Sequence, residues 1–291
     1  MQNTQDNTKA AAPVSQRRAF RHTAVTWAAR CSIIRRNAVA TTRQIGIPAC
    51  PIAEIAVPTW RAKLLQNYFY FSMSLLIAAA VVYGFSHTVN ENLIHPTPAR
   101  PFILYLHAIV FTGWLLFFIF QSALVRTRNV CLHRQVGWFG AGLGAAIPIV
   151  GSATAVAMTR FNMLHQRFLD GDAFLIVPLW DVTAFIVPFA LAIYWRKKPE
   201  FHRRLMLVAT CALTAAGFGR FPHYLLSEHM FYAGVDILIF LGVARDLIVN
   251  RRVHPAYLYA LPAFILGQIF VVYTYTHNSP WWMTTAHAIL R

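Results

Sequence analysis

The stretch "NVCLHRQVGWFGAGLGAAIPIVG", residues 129–151, places His133 and Arg134 in front of a run that is almost wholly apolar and laddered with glycine. A second stretch repeats the arrangement. In "KKPEFHRRLMLVATCALTAAGFG", residues 197–219, His202, Arg203 and Arg204 precede another apolar run. A polar mouth on a long apolar segment is what a chain shows where it enters a bilayer. Composition agrees, since 57% of the residues are hydrophobic and only 12% charged. A water-soluble domain has no use for that much apolar surface.

These two stretches belong to a set of seven apolar runs, at roughly 68–87, 101–124, 136–158, 173–195, 203–220, 232–249 and 257–276, each near the length that spans a bilayer. The sixth is the weakest, because it carries Asp236, Arg245 and Asp246. Dropping it would leave six. The fold expected is all-α, an integral membrane bundle of about seven transmembrane helices. Residues 1–66 form a basic cytoplasmic tail expected to be disordered, 67–278 the transmembrane domain, and 279–291 an interfacial C-terminal tail anchored by Trp281 and Trp282.

Charge placement supports the count. With the N-terminus in the cytoplasm, the tail holds ten Lys or Arg and the turns "RTRNVCLHR", "RKKPEFHRR" and "RDLIVNRRVH" hold eleven, so 21 of the 26 lie inside. Arg100, Arg160, Arg167, Arg220 and Arg291 remain outside, with the C-terminus. This is the positive-inside pattern. The net charge of +16 is therefore a topology signal, and the partner it implies is anionic lipid at the cytoplasmic face, not nucleic acid. The tail, Arg-rich, Ser/Thr-rich and nearly free of acids, is also compatible with a transit peptide or an early start codon.

Enzyme signatures are missing. Cys31, Cys50, Cys131 and Cys211 form no CxxC or zinc spacing, and there is no phosphate loop, no Gly-x-Ser-x-Gly and no zinc-protease motif. If the chain were an enzyme it would be a membrane-bound oxidoreductase.

Helical projection gives the polar residues a direction. At 100° per residue, Gly137, Gly140, Gly144 and Gly151 fall within about 40° of His133, and Met206, Ala209, Leu213, Gly217 and Arg220 within about 60° of His202. Both histidines therefore head stripes of small residues and are expected to face each other inside the bundle. A glycine stripe admits either a close helix or a flat cofactor. In the outer half, His107 lies ~9 Å and Asp181 ~12 Å into their helices at 1.5 Å per residue. Asp236 enters the sixth helix, and Arg220, His223, Glu228 and His229 gather at the outer end of the fifth. A carboxylate at the depth of Asp181 costs roughly 3 kcal/mol and needs a partner or a water-filled cavity. By depth alone that partner is Arg220.

The segments "FILYLHAIVFTGWLLFFIFQSALVRTRNVCLHRQVGWFG" and "RKKPEFHRRLMLVATCALTAAGFGRFP" resemble a group of uncharacterised bacterial multi-pass membrane proteins, over nearly all of residues 68–290. The resemblance implies a bacterial inner-membrane location and no activity. A fainter similarity is to the ascorbate-accepting diheme b-type transmembrane cytochromes, carried by His107, Gly113, Arg126 and His133. It implies haem b, and the placement of the histidines near the two membrane faces extends this to a scheme in which His107, His133, His202 and His223 ligate two bis-histidine haems, one in each leaflet. Two other readings stand beside it. One is a small ligand or ion bound in a polar intramembrane pocket lined by Asp181, Arg220 and Asp236. The other is an assembly or scaffold protein whose polar residues only lock helices together.

Overall fold

The computed structural model describes residues 60–165, 171–227 and 230–291. Most of the expected tail, together with Arg167, Glu228 and His229, lies outside them. Among the described residues the fold is all-helical and contains no strand. The order is α1 (Trp60–Ser86), a single π-turn (Asn90–Ile94), α2 (Phe102–Arg126), α3 (Val130–Leu164), α4 (Gly171–Phe174), α5 (Ile176–Tyr194), α6 (Pro199–Ala212), α7 (Ala215–Phe218), α8 (Phe231–Asn250), α9 (Pro255–Thr276) and α10 (Pro280–Leu290).

Among the described residues five segments are long and apolar enough to cross a membrane: Lys63–Ser86, Phe102–Arg126, Val130–Leu164, Gly171–Tyr194 and Pro255–Thr276. The fifth and sixth expected runs are helical but do not meet that test. The fifth is broken into α6 and α7. At the break, the Thr214 hydroxyl donates to the Cys211 carbonyl at 2.6 Å, an alternative to the helical ladder that threonine offers readily. Leu205, Leu207, Val208, Ala209, Thr210, Cys211 and Ala212 are all buried, so α6 is enclosed by its neighbours.

Proline marks another break. Pro178 has no N–H to give to the carbonyl four residues back, and the helix is interrupted at Leu175, between α4 and α5. Two expected boundaries move. α1 begins at Trp60, inside the segment read as tail, and α3 runs well past both ends of the expected 136–158. The C-terminal tail is a docked helix. Trp282 on α10 is buried and donates its indole N–H to the Ala173 carbonyl at 3.0 Å, while His287 meets Asp172 at 2.9 Å.

The three basic turns lie at one end of the bundle. His133 and His202 meet there, Phe201 packs edge-on against His254, and Arg196 stacks over Trp138. At the opposite end Arg220 reaches Thr88, and Arg160 donates to the Ile289 and Leu290 carbonyls. Close approach holds the helices together between the ends. A Cβ at Gly84 would collide with the Gly217 carbonyl, so α1 and α7 touch backbone to backbone.

Candidate functional site

Two carboxylates sit inside the bundle on α5 and α8. Asp181 accepts a hydrogen bond from the Tyr232 hydroxyl at 3.0 Å. Asp236, one turn beyond Tyr232 on the same face of α8, accepts one from the Gln268 amide of α9 at 3.0 Å. Three helices therefore converge on a polar seam of four residues. Packing fixes their approach: Trp180, beside Asp181, fills the space that a side chain at Gly267, beside Gln268, would need. Tyr232 and Gln268 are buried, while Asp181 and Asp236 are half-buried.

Arg220 is not part of this seam. Its guanidinium donates to the Thr88 hydroxyl at 3.2 Å and to the Ala216 carbonyl, and it lies 4.4 Å over the Phe85 ring. The expected Asp181–Arg220 pair is therefore not formed. Depth along a helix is one coordinate, and the two side chains leave their helices toward different neighbours. Among the described residues no ion pair reaches Asp181 or Asp236.

The histidines divide. His133 and His202 do face each other, with ring centroids 6.3 Å apart and planes at 76°. His202 Nδ1 is held by the Ala192 carbonyl at 2.9 Å. The outer two are not brought together. His107 stacks on Phe111 at 3.9 Å, while His223 stands exposed in the turn after α7. Along the glycine stripe the space in front of Gly137 is open, but the rest is filled. Phe117 fills the position over Gly140, Phe189 and Trp114 that over Gly144, and Phe111 and Val182 that over Gly151. The outer pair of the four-histidine haem arrangement is not assembled, whereas the inner pair stands face to face. No group of three or more His, Cys, Asp or Glu among the described residues is arranged to hold a metal ion.

The sequence reading missed one cluster. At the basic end, Arg204 (1% exposed) forms a two-pronged pair with Asp246 (0%), both N···O distances being 2.7 Å. Arg245 and Asn250 also donate to Asp246, and Arg204 donates to Glu200 at 2.6 Å. Burial alone would raise the Glu200 carboxyl. The hydrogen bonds and charges of Arg204 and Arg203 outweigh it and hold Glu200 below its ordinary value. Nearby, His254 caps α9, its Nδ1 accepting from the Ala256 N–H at 3.2 Å. Burial, helped by the Arg204 charge, holds that imidazole below its usual range.

Comparison with family models, with curated proteins and with solved structures finds no match to this chain. The class defined by fold and site is thus an all-helical protein with several membrane-length helices and a carboxylate seam in its bundle.

Proposed function

We propose that this chain is a seven-span membrane protein that holds and exchanges protons at Asp181 and Asp236. In this reading the N-terminus is cytoplasmic and the C-terminus external, in the bacterial inner membrane that the family resemblance implies. The supporting observation is that Asp181 is served by the Tyr232 hydroxyl and, among the described residues, by no cation. A carboxylate in a low-dielectric bundle without a counter-charge is relieved by taking up a proton or an ion. Tyr232 and Gln268 direct hydrogens at the two carboxylates. Such donated hydrogen bonds stabilise the ionised carboxylate that remains when a proton leaves, whereas a bound metal ion calls for a cage of oxygen ligands.

The 21-to-5 distribution of Lys and Arg supports the orientation, as does the gathering of the three basic turns at one end. The enclosure of α6 by its neighbours supports counting it among the spans, since a helix packed on protein rather than lipid needs less apolar length. Reporter fusions at the 196–204 turn and at Arg291 test the orientation. An alkaline phosphatase fusion active at the turn and silent at Arg291 would invert it. The proton reading is tested by stepping the pH of full-length purified protein and counting protons taken up with an impermeant pH dye. Wild type is expected to take up more than Asp181→Asn or Asp236→Asn. Equal uptake by all three would remove the proposal.

A further inference from the structure

The basic end of the bundle carries more donors than acceptors, and the excess is concentrated around Tyr70. Arg203 and Arg245 both approach its ring, with guanidinium carbons 5.3 and 5.7 Å from the centroid. Arg245 is 2% exposed, gives one nitrogen to Asp246, and has an Nε that meets no acceptor among the described residues. Arg203 gives one nitrogen to Glu200, and its Nε is likewise unmet. The buried hydroxyls of Tyr70 and Tyr257 also make no hydrogen bond among those residues. The Tyr257 hydroxyl lies against Gly242, one turn before Arg245 and Asp246.

A buried donor left without an acceptor is destabilising, so four of them in one cluster call for a shared acceptor. The local charge has the same sign. Arg203, Arg204 and Arg245 stand against Glu200 and Asp246, three cationic groups against two anionic ones. The Arg204–Asp246 pair is saturated and acts as a rigid floor, while the Arg203 side chain, 32% exposed, opens the cluster at the end of the bundle.

We propose that Arg203, Arg245, Tyr70 and Tyr257 form a binding site for a phosphate-type oxyanion at the basic end. A tetrahedral oxyanion offers several oxygens to donors arriving from different helices, and guanidinium groups match it with charge-assisted hydrogen bonds. The same chemistry is presented by the headgroup phosphate of an anionic lipid and by a free phosphate. This site is separate from the carboxylate seam and stands whether or not that seam exchanges protons.

The test uses full-length protein in neutral detergent, titrated with inorganic phosphate, with short-chain phosphatidylglycerol and with short-chain phosphatidylcholine, and read by calorimetry and by thermal unfolding. Binding of phosphatidylglycerol alone identifies a lipid headgroup, and binding of inorganic phosphate identifies a soluble ligand. In either case Arg203→Gln and Tyr70→Phe are each expected to weaken binding about tenfold. Tyr70→Phe removes only an unpaired hydroxyl, so it reports on the site even if Arg203→Gln folds poorly. The proposal is overturned if neither phosphate nor phosphatidylglycerol binds more tightly than phosphatidylcholine or chloride, or if Tyr70→Phe binds as wild type does.

Discussion

The Tyr232 hydroxyl donates to Asp181 Oδ1 at 3.0 Å and ties α8 to α5 through a neutral donor. Removing that donor strands a carboxylate inside the bundle, so Tyr232→Phe is expected to cost about 1–3 kcal/mol in unfolding stability. Arg220 has its own partners in Thr88 and Ala216. The losses from Asp181→Asn and Arg220→Gln should therefore add to within about 0.5 kcal/mol in a double-mutant cycle. A larger coupling would restore the ion pair that depth alone suggests.

Arg204 and Asp246 behave differently, because each is the other's buried counter-charge. Arg204→Gln or Asp246→Asn alone should destabilise by about 3–5 kcal/mol, and because Arg245 also pairs with Asp246, replacing Arg204, Arg245 and Asp246 together by apolar residues of similar volume should recover much of that loss. Denaturant or thermal unfolding of the three variants checks this.

Gly84 and Gly217 touch, yet they are not equivalent. A Cβ at Gly84 meets the Gly217 backbone carbonyl, whereas one at Gly217 lies 3.4 Å from Val81 Cα, an ordinary contact. Gly84→Ala should cost about 1–3 kcal/mol by forcing α1 and α7 apart. Gly217→Ala should be near neutral. Equal melting temperatures for the two variants would show that the close approach is misplaced.

His254 supplies a pH-dependent cap. Its imidazole accepts from the Ala256 N–H only when neutral, and its folded pKa is lowered. The stabilisation is therefore complete above the unfolded value of about 6.5 and is lost as pH falls through the lower folded value. His254→Asn keeps an acceptor that does not titrate. The stability difference between wild type and this variant should shift against wild type as the pH drops below about 6.5, by an amount near the ~1 kcal/mol typical of a helix cap. A pH-independent difference would show that the cap is not His254.

Hydropathy and charge made the helical runs and the shared end of the basic turns legible, because both properties are local. The meeting of His133 and His202 could be read too, since each opens a helix at that end and heads a small-residue stripe. Interhelical choices were not legible. Arg204 and Asp246 are 42 residues apart, and nothing local says that α6 and α8 are neighbours. The apparent room along Gly140 and Gly144 is filled by Phe117, Phe189 and Trp114, aromatic side chains that a projection of α3 alone does not include. Asp181 was found by its depth, but its partner Tyr232 carries no charge and so gave no signal.

The most direct measurement of the proton reading is pH-induced infrared difference spectroscopy on the purified full-length protein. A protonated-carboxyl band is expected in wild type, reduced in Asp181→Asn, reduced in Asp236→Asn, and unchanged in Glu200→Gln, whose carboxyl belongs to the ion cluster at the basic end. Identical carboxyl bands in wild type, Asp181→Asn and Asp236→Asn would contradict the proton reading.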